Sequence, residues 1–403
     1  MKKSMIVAAM LVMVATGANA KSATDSATIA KNKPVFTVVK QNPITSIKDQ
    51  NRSGTCWAYS TLSYFESEIL KHTGKTYDLS EMFVANKTYM DRATMAVRMH
   101  GDVSFSQGGS AYDVLYALQH YGIVPEGAMP APGTLTGDSL ANFGEFFDVM
   151  TPYVEAVAKS NAKKISSAWK SGLQGIIDSY IGKTPEKFTY QGKQYTPQSF
   201  CQSLGLNLDD YVTITSYTHH PMWSKFAVEV QDNWRWPLSY NVPMDDLCKI
   251  IDNAINNGYT VAWGGDVTED GFTRKGLGIA YDVKKVRSMA GTDADHWFKL
   301  SKDEKKEKFD SLGVNAPEVV PTQAMRQEAF DNWETTDDHG MHIYGIAKDQ
   351  NGKEYYMVKN SWGEYGDYKG TWYMTKAFVA YKTMDFMVNK NAIPKDIRKK
   401  LGI

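Results

Sequence analysis

Cys56 is the side chain best placed in this sequence for nucleophilic chemistry. It follows Gly54-Thr55 and begins an aromatic, apolar run that starts Trp57-Ala58. This pattern predicts a tight turn followed by a helix, and the unpaired N–H groups at a helix N-terminus stabilise a thiolate. Because inert buried cysteines are commoner than reactive ones, this segment alone leaves both interpretations open.

A thiolate nucleophile needs a neighbouring base that later protonates the leaving amine. His339 is the best candidate among the eight histidines, because it lies in the segment Asp337-Asp338-His339-Gly340 at the start of a predicted strand. A second predicted strand follows Asn351-Gly352, a strong hairpin signal, and leads to Asn360. In such a hairpin the Asn360 amide oxygen would orient the His339 ring, and Trp362 would shield their contact from water.

Acyl transfer also needs hydrogen-bond donors for the oxyanion that develops on the substrate. Gln50 lies shortly before Cys56, and its side-chain amide would supply one donor beside the Cys56 backbone N–H. Taken alone, Gln50 is better explained as a turn residue in a polar segment. The order of Gln50, Cys56, His339 and Asn360 along the chain is what favours the catalytic interpretation.

The elements that would hold these residues change in kind along the chain. Four apolar residues after Cys56 recur on one helical face: Ala58, Leu62, Phe65 and Ile69. A second helix is predicted over residues 80–99, whereas strands are predicted over 341–347, 354–359 and 371–374. Helices in the first part and antiparallel strands in the last indicate an α+β fold.

The N-terminus has the features of an export signal. Met1-Lys2-Lys3 is basic, residues 5–17 are apolar, and Ala18-Asn19-Ala20 matches a cleavage site. We therefore interpret residues 1–20 as a signal peptide, with a buried N-terminal helix as the alternative. This interpretation predicts a periplasmic or extracellular destination without choosing between the two.

Composition argues against several classes of function. Lys and Arg together number 45, as do Asp and Glu, so the formal net charge is zero and nothing favours nucleic-acid binding. After the N-terminal segment no apolar run is long enough for a membrane span. Cys201 and Cys248 fit buried core positions, although they could also pair, and three cysteines leave at least one free thiol.

The order of these motifs resembles the papain-like cysteine peptidases. The motifs are Gln50, Cys56-Trp57, Asp338-His339-Gly340 and Asn360-Ser361-Trp362-Gly363. The resemblance implies that Gln50 is the oxyanion donor, Cys56 the nucleophile, His339 the base and Asn360 the orienting residue. It also implies substrate contacts at Gly108, Gly109 and Trp362, a fold with a helical and an antiparallel β lobe, and catalysis without metal or cofactor.

Within this superfamily the sequence is most similar to the bleomycin hydrolase and aminopeptidase C branch. The similarity rests on segments 188–200, 239–243 and 261–267, and on the long stretch between the glycine pair and His339. It implies one peptidase domain at 21–403, with a large, mainly helical insertion at about 130–235. It also implies a homo-oligomer, hexameric in this branch, that acts on peptides.

The resemblance predicts an exported cysteine aminopeptidase. Members of the branch have a longer C-terminal tail whose carboxylate limits cleavage to substrate N-termini, whereas this sequence stops at Ile403. Endopeptidase action is therefore an alternative. Acyl transfer to amines by the same residues, and peptide binding without turnover, are also open at this point.

Overall fold

The structure is a computed structural model that describes residues 32–131, 140–289 and 299–403. The interpretation of residues 1–20 as a signal peptide lies outside the described residues. The chain divides into two compact units. The larger unit comprises Val38–Ala280, Val320–Lys348 and Glu354–Ile403, and it contains every predicted site residue.

Helices occupy most of the first half of the chain, as predicted. They are α1 (Cys56–Thr73), α2 (Glu81–Arg98), α3 (Ala111–His120), α4 (Gly144–Ala158), α5 (Ala168–Ile181), α6 (Pro197–Ser203), α7 (Met244–Asn256), α8 (Val283–Met289), α9 (Lys302–Leu312), α10 (Gln323–Asp331), α11 (Lys376–Lys382) and α12 (Lys395–Leu401). None of the described helices combines the length and the apolar character that crossing a membrane requires.

The strands lie mainly in the second half. They are β1 (Thr37–Gln41), β2 (Phe188–Tyr190), β3 (Lys193–Tyr195), β4 (Tyr211–Thr215), β5 (Lys225–Phe226), β6 (Ser239–Asn241), β7 (Val261–Gly265), β8 (Phe272–Thr273), β9 (Leu277–Gly278), β10 (His339–Lys348), β11 (Glu354–Lys359), β12 (Thr371–Thr375) and β13 (Thr383–Asn389). Apart from the hairpin β2–β3, they form one sheet in the order β5-β6-β4-β13-β7-β10-β11-β12-β9-β8, with β1 beside β10.

Helix α1 is the central element of the larger unit. It begins at Cys56 and ends before Gly74, whose positive φ of 68° and N–H bond to the Leu70 carbonyl terminate it. Every residue from Trp57 to Ile69 is buried, and the apolar ones belong to a hydrophobic cluster built mostly from α1 to α6. The predicted apolar face is therefore only part of the buried surface, because the sheet covers the other side of the helix.

The sheet encloses a second hydrophobic cluster. Trp263, Ile343, Val358, Trp372 and Phe386 pack together there from five different strands. Most strand pairs are antiparallel, as predicted, but β4 with β6 and β9 with β12 are parallel. At these two places only two residues of each strand are paired, and no sequence period reveals the direction of the pairing.

The region predicted as an insertion contributes to both clusters. Its described residues form α4, α5, the hairpin β2–β3 and α6, which pack mainly in the helical cluster. They also form β4, which pairs with β13 in the main sheet. That this region is an insertion stays a prediction.

The smaller unit has its own small core. Val286 of α8 and Phe309 of α9 are buried together, with Leu312 packed against them. The ring of Tyr281 stacks on Phe309 with centroids 4.2 Å apart.

Candidate active site

Local hydrogen bonds fix the turn that leads to Cys56. The Ser53 hydroxyl donates to the Gln50 carbonyl at 2.7 Å. The Gly54 N–H donates to Oε1 of Gln107 at 2.7 Å, which ties the turn to the segment carrying the glycine pair. Cys56 is therefore held as the first residue of α1, as the sequence predicted.

His339 and Asn360 meet as the predicted hairpin requires. His339 Nε2 lies 2.9 Å from Asn360 Oδ1, and both side chains are buried. The same oxygen accepts from the Ser361 N–H at 2.7 Å, which fixes the amide orientation. Because a carbonyl oxygen only accepts, His339 carries its proton on Nε2, and Nδ1 is left as the basic nitrogen.

Trp362 covers this contact, also as predicted. Its ring lies 4.9 Å from the His339 ring, centroid to centroid, at an interplanar angle of 36°. Phe272 and Trp372 pack edge-on against the Trp362 ring. An apolar cover of this kind excludes water from the His339–Asn360 hydrogen bond and strengthens it.

Gly340 allows β10 to approach α1 closely. A Cβ atom at this position would lie 2.7 Å from Ser60 Oγ and 3.3 Å from Trp57 Cα, so a larger residue would force the strand away. The Gly340 backbone also hydrogen-bonds to the Cys56 thiol. This close approach brings His339 and Cys56 to one cavity.

That cavity has a volume of about 170 Å³. Its lining includes four of the predicted site residues: Cys56, His339, Gly108 and Gly109. Gln50, Asn360 and Trp362 are not among the described residues that line it. Asn360 and Trp362 instead support His339 from behind.

Both ends of the Gln50 side-chain amide form hydrogen bonds. Nε2 donates to the Ser53 carbonyl at 2.7 Å, and Oε1 accepts from Ser361 Oγ at 2.6 Å. The residue therefore fixes the turn, as the alternative interpretation proposed. Only one of the two Nε2 hydrogens is used in this way.

Packing within the protein requires glycine at positions 108 and 109, in addition to the predicted contact with substrate. Arg92 Nη1 donates to the Gly108 carbonyl at 2.5 Å and pairs with Asp232 Oδ1 at 3.1 Å. A Cβ atom on Gly108 would collide with the Asp232 carboxylate, and one on Gly109 would lie 2.9 Å from the Trp57 ring. Gly108 thus makes room for Asp232, a contact that the sequence did not suggest.

Burial shifts the pKa values of both the cysteine and the histidine. It raises the pKa of the Cys56 thiol to about 12. It also lowers the pKa of the His339 imidazole to about 4, although the bond to Asn360 acts in the opposite direction. A helix N-terminus contributes only about 1 kcal/mol, less than one pKa unit. The expectation that this terminus favours a resting thiolate stays a prediction, and desolvation acts against it.

Four carboxylates contribute to the polar part of the cavity wall, and their role there was not predicted. The lining contains Asp232, Asp337, Asp338 and Asp385, and no lysine or arginine is among its described residues. Burial raises the pKa of Asp385 to about 6 and that of Asp337 well above its usual range. Asp337 and Asp338 were visible as an acidic pair beside His339, whereas Asp232 and Asp385 come from distant segments and gave no signal.

The other two cysteines are free thiols. Cys201 is buried and Cys248 half-buried, and neither forms a disulfide. Cys201 Sγ donates to the Leu118 carbonyl at 3.6 Å, and Cys248 Sγ donates to the Lys376 carbonyl at 3.8 Å. The interpretation of both as core residues rather than a bridge is confirmed.

Comparison with known proteins identifies the family and the fold. The model of the Peptidase C1-like family matches residues 2–316 and 310–402. Aminopeptidase G of Lactobacillus delbrueckii subsp. lactis is 23% identical over 397 residues, covering 89% of this chain and 84% of that protein. Bleomycin hydrolase of Homo sapiens is 22% identical over 419 residues, covering 92% and 86% respectively.

The fold is shared with a solved structure. The crystal structure of PepW from Lactobacillus rhamnosis superposes with a TM-score of 0.69 at 20% identity, covering 96% of this chain and 92% of that one. This likeness confirms the α+β, papain-like fold. The chain belongs to the Peptidase C1-like family, as a papain-like cysteine peptidase of the bleomycin hydrolase and aminopeptidase C branch.

Proposed function

We propose that this protein is a cysteine aminopeptidase in which Cys56 is the nucleophile, His339 the general base and acid, and Asn360 the residue that orients His339. The observation that carries the proposal is the 2.9 Å His339–Asn360 bond beside a cavity that both His339 and Cys56 line. This is the arrangement that nucleophilic catalysis by a thiol requires.

The proposed reaction starts from a neutral thiol and a neutral imidazole, the forms that the shifted pKa values favour. His339 Nδ1 takes the thiol proton as the Cys56 sulfur attacks the substrate carbonyl, so no free thiolate has to persist in the buried site. The oxyanion accepts from the Cys56 N–H and from the second hydrogen of Gln50 Nε2. His339 then gives its proton to the leaving amine. Water attacks the resulting thioester with His339 as base, which releases the acid and restores the thiol.

The acidic wall of the cavity favours substrates with a free N-terminus. Asp232, which pairs with Arg92, and Asp385 belong to a lining that holds no lysine or arginine among its described residues. An ammonium group is attracted by such a wall, whereas an N-blocked peptide has no charge to interact with it. The relatives named aminopeptidases agree with this preference.

The C-terminal residue does not take part in this lining. Ile403 packs against the hydrophobic cluster under the sheet and is absent from the described cavity residues. We propose that the cavity carboxylates bind the ammonium group of the substrate. An aminopeptidase needs such a site for the substrate ammonium group, whereas an endopeptidase does not.

Paired substrates test both parts of the proposal. The purified chain is given an aminoacyl amide with a free N-terminus and the same compound with an N-acetyl group. We expect hydrolysis of the free form to be at least about tenfold faster, as for one lost charge interaction. Equal rates would exclude the aminopeptidase assignment in favour of an endopeptidase. Full activity in Cys56→Ala would exclude the mechanism itself.

Export and assembly are proposed on the sequence alone. The features of residues 1–20 support export through a signal peptide. N-terminal sequencing of the processed chain tests this, with Lys21 as the expected first residue. Light scattering behind a size-exclusion column tests whether the protein forms the hexamer that the resemblance implies.

A further inference from the structure

Two adjacent histidines and a glutamate meet outside the active site. His219 Nε2 lies 3.0 Å from Glu229 Oε2, and His220 Nε2 lies 2.9 Å from Glu229 Oε1. The three ligand atoms lie within 4.8 Å of one another. His219 and His220 follow β4, whereas Glu229 lies between β5 and β6, so two separate loops supply the cluster.

The packing around both imidazole rings fixes their direction. His220 stacks on Phe226 with centroids 4.2 Å apart and an interplanar angle of 21°. His219 lies parallel to Phe330, with centroids 5.7 Å apart at 12°. These contacts point the same nitrogen of each ring, Nε2, at one carboxylate. Such an arrangement needs little reorganisation to bind a common ligand.

Gln327 of α10 holds the other nitrogen of His219. His219 Nδ1 lies 3.0 Å from Gln327 Nε2 and 3.3 Å from Gln327 Oε1. The same Oε1 accepts from the Thr218 N–H at 2.6 Å, which anchors the amide. With a metal on Nε2, Nδ1 carries the ring proton and donates it to Gln327 Oε1. Histidines that bind metals usually have an acceptor of this kind at the second ring nitrogen, because it fixes the ring and its tautomer.

We propose that His219, His220 and Glu229 bind a divalent transition metal ion of the Zn²⁺ class. Two imidazole nitrogens with one carboxylate oxygen are ligands that this class of ion prefers. Bonds of about 2.0–2.2 Å place tetrahedral ligands about 3.3 Å apart, so the present separations of 2.9 and 3.0 Å need only a small expansion.

The surroundings leave access for the ion and for a fourth ligand. The side chains of His219, His220 and Glu229 are 30%, 36% and 54% exposed, so water can complete the coordination. Val228 and Val230 on either side of Glu229 line the active-site cavity. The metal site thus adjoins a wall of that cavity without forming part of it.

Calorimetric titration with ZnCl₂ tests the site in the full chain. The background variant is Cys56→Ser, because the active-site thiol would itself bind zinc. We expect one equivalent to bind, with affinity reduced at least about tenfold in His220→Ala and in Glu229→Gln. The control is His72→Ala, which removes an exposed histidine elsewhere and should leave the affinity unchanged.

The outcomes separate the metal site from a purely structural cluster. Glu229→Gln keeps a side chain of the same shape that can still hydrogen-bond to both histidines, so it should fold even where His220→Ala does not. Absence of the one-equivalent phase in the background variant would overturn the proposal. A zinc affinity that is unchanged in Glu229→Gln would also overturn it, because the Glu229 carboxylate would then not be a ligand and the cluster would be held by hydrogen bonds alone.

Discussion

His339 and His342 lie three residues apart on the same strand and are very different in what surrounds them. Both are buried, at 7% and 0% exposure, and burial lowers the pKa of both. Each has one ring nitrogen held, His339 by Asn360 and His342 by Ser63 Oγ at 2.9 Å. His339 lines the cavity with Cys56, whereas His342 borders a separate space of only about 10 Å³.

The alternation of side chains along β10 explains this difference. Gly340 and His342 share the face of the strand that meets α1 at Ser60 and Ser63. His339 projects from the other face at the strand's beginning, where Trp362 and the cavity lie. Burial and a hydrogen-bonded ring are thus common to both histidines, and access to the nucleophile distinguishes them.

Removing each ring in turn gives the largest expected effect. His339→Ala should reduce kcat/KM about 10²–10⁴-fold, because the base and acid are lost. His342→Ala, the matched control, should leave kcat/KM close to that of the unsubstituted enzyme. Steady-state kinetics on the free-N-terminus substrate measures both variants. An equal loss in the two would mean that burial of the strand, and not access to Cys56, determines activity.

The two hydrogen-bond partners provide the next comparison. Asn360→Ala should lower kcat by about 10²-fold with little change in KM, because the His339 ring loses its orientation towards the thiol. Ser63→Ala removes the corresponding partner of His342 and should leave kcat unchanged. Both variants are to be checked for folding by circular dichroism. A loss of kcat in Ser63→Ala as large as in Asn360→Ala would contradict the assignment of His339 as the base.

The pH profile tests the state of His339. Its neutral form is the active base, and its pKa of about 4 predicts an acidic limb near pH 4. The N-acetylated substrate is used here, because its kcat/KM does not depend on the charge of Asp385, whose pKa is about 6. The Asn360 bond raises this pKa, so the residual activity of Asn360→Ala should have its acidic limb at lower pH. An acidic limb near the ordinary histidine value of about 6.5 would show that the imidazole is not desolvated in the free enzyme.

Turn residues and side-chain periodicity predicted those parts of the site that a single helix start or hairpin determines. The start of α1 at Cys56 and the hairpin that joins His339 to Asn360 follow from turn residues and side-chain periodicity. Gln50 was predicted from its order in the chain, but its bonds to Ser53 and Ser361 depend on where distant loops meet.

The parts that depend on long-range packing were not predictable. Asp232 and Asp385 reach the cavity from separate elements, and no spacing in the sequence connects them to Cys56. The raised pKa of Cys56 is a further case, because a helix N-terminus is visible in a sequence whereas the depth of a thiol is not. The short parallel strand pairs were missed for the same reason.

The smallest expected effect is on the pH dependence of stability. In the unfolded chain histidine has a pKa of about 6.5, whereas burial holds that of His342 well below this value. At a pH between these two values, His342 is protonated in the unfolded chain and neutral in the folded protein. The free energy of unfolding therefore falls as the pH drops, by up to about 1.4 kcal/mol per pH unit for each such histidine.

His342→Ala removes one of the histidines that take up a proton on unfolding. Its free energy of unfolding should therefore fall less steeply between pH 6 and pH 5, by up to about 1.4 kcal/mol per pH unit. Asp385, whose pKa is raised to about 6, acts in the opposite direction, but it is present in both proteins and cancels in the difference. Urea unfolding at the two pH values measures the slopes. Identical slopes would mean that His342 reaches water in the folded state, which would remove the distinction between an enclosed histidine and one that opens onto the catalytic cavity.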